Sequence, residues 1–122
     1  MKKNIIDINK RIFILTGASG RLGKAYIPQF IDNGSQIVCI DVEKKGLESI
    51  KKKFKDKVIT FNCSVTNKNK LEKISSKLKE DNININGLIN NAAGKQTTVF
   101  NNKVVNFENY PLSAWMDEIQ ID

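Results

Sequence analysis

The sequence predicts an α/β fold, a doubly wound parallel sheet with helices on both faces. Three observations predict it. Four short apolar runs recur along the 122 residues: "IFIL", "QIVCID", "KVITFNC" and residues 88–90 within "NGLINNAAG". Stretches with helical spacing of apolar residues separate them. Strands alternating with helices form βαβ units, whose right-handed crossovers place helices on the two faces of a parallel sheet. The third observation is a series of glycines, Gly17, Gly20 and Gly23, where the first strand should end and the first helix begin.

The first run, 12–15, is continuously apolar, as suits a strand buried on both faces. Residues 21–33 carry Leu22, Tyr26, Ile27, Phe30 and Ile31 on one broad helical face, and Gly34 is placed as the C-terminal cap. Pro28 falls inside this helix and is expected to kink it or to be tolerated as a defect. The second strand ends at Asp41. "LESIKKKF" reads as a short amphipathic helix and "KVITFNC" as the third strand. In "NKNKLEKISSKLKEDN", Leu71, Ile74 and Leu78 turn inward and Asn67 is the candidate N-cap. A fourth strand, 88–90, leads into small residues. Residues 95–110 are polar and irregular and read as a long loop, of the kind that is often functional. A last helix starts near 111–113 and carries Trp115, Ile119 and Ile121. Residues 1–11 are read as an N-terminal extension and 12–122 as one domain.

Composition narrows the function classes. Hydrophobic residues make up 40% and charged residues 27%, a globular balance. No run approaches the ~20 apolar residues of a membrane span. Asp7 interrupts the apolar stretch of "MKKNIIDINKR", which lacks the form of a secretory signal, so a cytoplasmic location without membrane contact is expected. Cys39 and Cys63 lie in strand-like runs, outside any CxxC pair, and the chain has no histidine. A metal site is therefore not expected, and the cysteines read as reduced, buried thiols. The net charge of +7 comes from lysines spread along helix faces. Aromatic residues do not interleave with them as a nucleic-acid surface requires, so nucleic acid is not an expected partner.

The glycines have a physical use. A helix N-terminus presents N–H groups without partners and a partial positive charge, and it attracts phosphate. Gly17 permits a tight turn, Gly20 lets the backbone approach a pyrophosphate, and Gly23 lets the helix pack closely. Asp41 lies 18 residues after Gly23, at the end of the next strand. A carboxylate there accepts hydrogen bonds from ribose hydroxyls and repels a 2′-phosphate.

"TGASGRLG" (16–23) with "LINNAAG" (88–94) resembles the N-terminal part of the short-chain dehydrogenases/reductases. The resemblance covers nearly the whole chain from Ile12 onward. It implies a Rossmann-like sheet of four strands in the order 3-2-1-4, the family's C-terminal strands being absent from these residues. It implies NAD as cofactor, with NADP as the alternative, and a small alcohol or carbonyl substrate. The implied cofactor-binding residues are Gly17, Ser19, Gly20, Arg21, Leu22, Gly23, Asp41, Ser64, Val65, Asn91, Ala92, Ala93 and Gly94. Asn91 to Gly94 would line the ribose on the nicotinamide side, and Ser64 stands where the family often has an aspartate touching adenine. The parent protein is expected to be a homo-oligomer.

The sequence also departs from the family. Arg21 stands at the middle-glycine position of the commoner T-G-x-x-x-G-x-G, and the spacing here is T-G-x-x-G-x-x-G, as in the branch acting on sugar nucleotides. Seven residues after Trp115, where the family commonly has a catalytic asparagine, is Asp122. The family's catalytic pair is Tyr-x-x-x-Lys. Tyr26 is followed four residues on by Phe30, and Tyr110 by Ala114, so no catalytic residue is assigned. The expectation is the cofactor-binding portion of an oxidoreductase, inactive alone, with a lean to sugar or polysaccharide metabolism from "FENYPLSAW" and the glycine spacing. A non-catalytic nucleotide-binding module or pseudoenzyme is the alternative.

Overall fold

A computed structural model describes residues 6–94, 99–100, 103–104 and 107–121. It divides into two compact units, 1–91 and 92–122. In the first, β1 (Ile12–Thr16), β2 (Gln36–Asp41), β3 (Val58–Asn62) and β4 (Gly87–Ile89) form one sheet. Its order is β3-β2-β1-β4, and all three pairings are parallel. Between the strands run α1 (Arg21–Asp32), α2 (Lys44–Phe54) and α3 (Lys68–Glu80). This is the Rossmann-like arrangement the sequence predicts.

Side chains alternate across a strand, so neighbours on β1 and β2 serve different cores. Leu15, Ile37 and Cys39 pack with Ile27 and Ile31 of α1 and with Leu47 and Ile50 of α2. Val38 and Ile40 pack with Cys63 and with Ile74 and Leu78 of α3, and Ile14 joins them half-buried. Both cysteines are buried free thiols.

The helix signals act as the sequence suggests. Asn67 caps α3, its side chain accepting from the Lys70 N–H at 3.0 Å. Gly34 adopts φ +85°, and its N–H donates to the Ile31 carbonyl at 2.9 Å. α1 continues through Pro28. The bond that proline forfeits is to the carbonyl of Lys24, an exposed residue, where water can replace it. Residues 6–11 are tied to the α1–β2 turn, with the Lys10 N–H donating to the Gly34 carbonyl and Ser35 Oγ to the Ile8 carbonyl.

Three elements differ from the sequence reading. α2 begins at Lys44, a turn before the apolar pattern starts. β4 is shifted one residue toward the N-terminus, because Gly87 pairs with Phe13. The stretch read as a long loop contains a short antiparallel ladder, β5 (Val99–Phe100) with β6 (Lys103–Val104). The rest of that stretch up to residue 106 lies outside the described residues, as does Asp122. In this second unit a 3-10 turn, Phe107–Asn109, precedes α4 (Leu112–Ile121), and the Tyr110 ring meets Trp115 edge-on at 5.5 Å.

Candidate functional site

The predicted residues of the first unit gather at the carboxyl ends of β1, β2, β3 and β4, the end at which open α/β sheets hold their ligands. β1 leads into the turn at Gly17, whose φ of +65° lies in the left-handed region that glycine adopts without strain. The Ala18 N–H then reaches the Ile40 carbonyl at 3.3 Å, and the Gly20 N–H closes the turn on the Gly17 carbonyl at 3.1 Å. Gly20 is the N-cap of α1 and brings no side-chain cap. The first N–H groups of α1 thus lack intrahelical partners and have no cap bond to close them.

Gly23 and Gly20 are glycine for different reasons. A Cβ on Gly23 would stand 2.5 Å from the carbonyl oxygens of both Gly17 and Ala18, so this glycine seats α1 against the turn. A Cβ on Gly20 would meet only the Gly17 oxygen, at 3.3 Å. That contact with a backbone oxygen is tight but not an overlap, so the protein's own packing presses less on Gly20, which is exposed, than on Gly23. Arg21 and Leu22 are exposed beside it.

Asp41 is only 8% exposed, and its carboxylate is engaged on both sides. Oδ2 accepts the Ser19 N–H at 2.9 Å and Oδ1 accepts the Glu43 N–H at 2.8 Å. Each oxygen keeps a further lone pair for a hydroxyl donor. Asn62 secures the same strand end, with Nδ2 donating to the carbonyls of Asp41 and Val42 at 3.0 and 2.9 Å. Ser64 and Val65 follow β3. Ser64 Oγ bonds Thr66 Oγ1 at 2.8 Å in the turn that enters α3.

Asn91 joins β4 to the start of the glycine turn. Its Nδ2 donates to the carbonyls of Thr16 and Gly17, each at 3.2 Å, and its N–H donates to Thr16 Oγ1 at 3.0 Å. Ala92, Ala93 and Gly94 follow directly and begin the second unit. Gly46, which the sequence reading passed over, also belongs to the site: a Cβ there would overlap Ser19 Cβ and stand 2.8 Å from Ser19 Oγ. Its signal was a glycine in the first turn of a helix, against propensity.

An open groove of about 650 Å³ lies beside these residues, on the α3 face of the sheet. It shares Thr16, Val65 and Asn90 with the strand ends, but its floor is Ile14, Ile40, Ile74 and Leu88. Neither the glycines nor Asp41 line it, so the chemistry of the turn and this groove are separate features. Among the described residues no cluster of His, Cys, Asp and Glu could hold a metal ion, and no helix is long and apolar enough to cross a membrane.

The strand ends thus present the N–H donors of a capless helix N-terminus behind an exposed glycine, with a carboxylate acceptor at the next strand end. A family model described as short chain dehydrogenase matches residues 11–122. A short-chain dehydrogenase/reductase from Brucella melitensis, titled glucose/ribitol dehydrogenase, superposes with a TM-score of 0.78 at 22% identity. That match covers 95% of this chain and 47% of the other. An NAD+-bound xylitol dehydrogenase gives 0.78 at 22% identity, covering 95% and 44%. A 3-ketoacyl-(acyl-carrier-protein) reductase from Brucella melitensis, complexed with NADH, gives 0.77 at 17%, covering 93% and 44%. The chain thus spans less than half the length of these solved structures. A comparison with curated proteins found no match.

Proposed function

The chain belongs to the short-chain dehydrogenase family, and from that premise we propose that it forms the dinucleotide-binding portion of an NAD(P)-dependent oxidoreductase. One observation carries the reading: the glycine turn of β1 is tied to Asp41 of β2 and to Asn91 of β4, so three strand ends meet at one capless helix N-terminus. In this reading residues 12–122 are a partial domain and residues 1–11 an extension.

The residues take the following roles. The first N–H groups of α1, from Arg21, Leu22 and Gly23, receive the pyrophosphate, and Gly17 and Gly20 keep its approach open. Asp41 accepts the adenosine ribose hydroxyls with its remaining lone pairs. Ser19 borders the same ribose. Ser64 and Val65 border the adenine, and Asn91, Ala92, Ala93 and Gly94 the nicotinamide-side ribose. NAD is favoured over NADP, because a 2′-phosphate beside the Asp41 carboxylate meets like charge. Bound nicotinamide supplies the hydride chemistry, exchanged with a small alcohol or carbonyl compound. That exchange also needs a proton donor or acceptor at the substrate oxygen. These 122 residues hold no Tyr-x-x-x-Lys pair for it, so no turnover is expected from them alone. The same observation favours a second reading, a nucleotide-binding module without catalysis. The proposed parent enzyme is cytoplasmic and homo-oligomeric, with a lean to sugar or polysaccharide substrates.

Calorimetric titration of the chain with NADH and NADPH tests this. Saturable binding is expected, tighter for NADH. Gly20→Val should abolish it with an unchanged far-UV CD spectrum, since the new side chain fills the phosphate's space. Absence of saturable binding by either nucleotide overturns the reading, and tighter NADPH binding overturns the preference.

A further inference from the structure

We propose that Gly46 and Asp41 are positioning residues, which set where the glycine turn stands at the nucleotide site by holding Ser19 from two sides. The inference rests on the reading of that turn as the pyrophosphate site.

Ser19 is the residue between the buried Ala18 and the exposed N-cap Gly20. Its N–H is held by Asp41 Oδ2, a charge-assisted hydrogen bond of 2.9 Å on a carboxylate that is 8% exposed. The other oxygen of that carboxylate holds the N–H of Glu43, the N-cap of α2, at 2.8 Å. One carboxylate therefore joins the glycine turn to the start of α2. Asp41 makes these two bonds with protein groups alone, whatever it later accepts from a ribose.

Gly46 provides the second hold. It lies in the first turn of α2, and its backbone is not in the left-handed region, where Gly17 and Gly34 are. Helix geometry therefore does not ask for glycine, and alanine would suit the helix better. What asks for it is space: a Cβ at this position would overlap Ser19 Cβ. Ser19 Cβ is fixed to the main chain, so relief requires the turn or the helix to move. Because the Gly20 N–H and the first turn of α1 follow Ser19 directly, displacing Ser19 displaces the groups that meet the phosphates. Gly46 thus governs nucleotide affinity through Ser19.

The test uses the full chain with Gly46→Ala, Ser19→Gly, the double variant and Asp41→Asn. Two readouts are taken: calorimetric NADH affinity, and hydrogen exchange of individual amides without nucleotide. Gly46→Ala is expected to weaken NADH binding on the order of tenfold, the effect of overpacking a close contact. It should also speed exchange at the Ser19 amide while the Val38 and Cys39 amides stay protected. Ser19→Gly in the Gly46→Ala background should restore affinity to that of Ser19→Gly alone, because it removes the atom that clashes. A general loss of stability would also speed exchange at Val38 and Cys39, so protection there separates the two effects. Asp41→Asn, which leaves α2 intact, should speed exchange at Ser19, at Glu43 or at both. Wild-type affinity in Gly46→Ala, or a loss that Ser19→Gly does not restore, overturns the proposal. If the unaltered chain binds no nucleotide, the functional reading fails by itself. Exchange then decides the positioning role, and unchanged Ser19 rates in both Gly46→Ala and Asp41→Asn overturn it.

Discussion

Ile14 and Leu15 are neighbours on β1, point to opposite faces of the sheet, and end in different surroundings. Leu15 is fully buried among α1 and α2, together with Ile27, Ile37, Cys39 and Val58, all at 0% exposure. Ile14 is half-buried on the α3 face, where Ile12, Ile59, Phe61, Ile83 and Ile85 are also only partly covered and Leu88 is 57% exposed. Two helices close the first face. Among the described residues of the first unit, α3 alone covers the second and leaves the groove. The difference separates two tasks. The closed face fixes β1 and β2, whose ends carry the glycine turn and Asp41, so that turn and that carboxylate are anchored by the better-packed face of the sheet. The open face contributes less to stability and leaves apolar surface exposed.

The largest expected effect follows from that contrast. Leu15→Ala removes most of a fully buried side chain from the core it shares with α1, α2 and β2 and should cost about 3 kcal/mol of unfolding free energy. Ile14→Ala removes half-buried surface beside an open groove, and about 1 kcal/mol is expected. Urea unfolding of both variants measures the difference. Equal losses would break the comparison.

A second effect belongs to the closed face alone. Burial pushes the Cys39 thiol from 9.0 up to about 12, the negative charge of Asp41 adds to the rise, and Lys51 partly opposes it. The folded state thus keeps a proton that the unfolded state releases above pH 9. The contribution is fully present below pH 9 and is lost as pH rises toward 12, so stability should fall across that window. Cys39→Ala should start less stable and fall less steeply over the same pH range. Parallel thermal-denaturation profiles for the two proteins would show that the thiol is not sequestered. Iodoacetamide should likewise leave Cys39 unmodified in the folded chain.

The sequence made the closed face and the glycine turn legible because their patterns are local. Apolar runs, helical spacing and the 17-20-23 glycines each depend on neighbours within a few residues. Asp41 was legible as a carboxylate at a strand end. Its two bonds to the N–H groups of Ser19 and Glu43 were not, since they join residues from different elements. The start of α2 was hidden for a related reason. "EKKGLES" reads as poor helix because Gly46 serves contact with Ser19 rather than helix propensity. Gly87 hid the start of β4: its missing side chain makes room for the Phe13 ring, 2.7 Å from where a Cβ would stand. The two-residue strands β5 and β6 are too short to produce a period at all.

The smallest expected effect tests the open face. Leu88 lies on β4, at an edge of the four-stranded sheet, and forms part of the groove floor. Its exposure means that folding removes little of its side chain from water, so little hydrophobic free energy is at stake. Leu88→Thr retains a residue suited to strands, adds a hydroxyl that water can satisfy, and leaves the pairing with Ile14 on β1 unchanged. Unfolding free energy should change by no more than about 0.5 kcal/mol. NADH affinity should not change, because Leu88 stands apart from the glycine turn and Asp41. The same substitution reduces exposed apolar surface, so the variant should be less prone to associate at high concentration. A loss of about 2 kcal/mol or more would mean that Leu88 is packed in solution. The two faces would then be closed to a similar degree, and the anchoring of the glycine turn and Asp41 could no longer be credited to one of them.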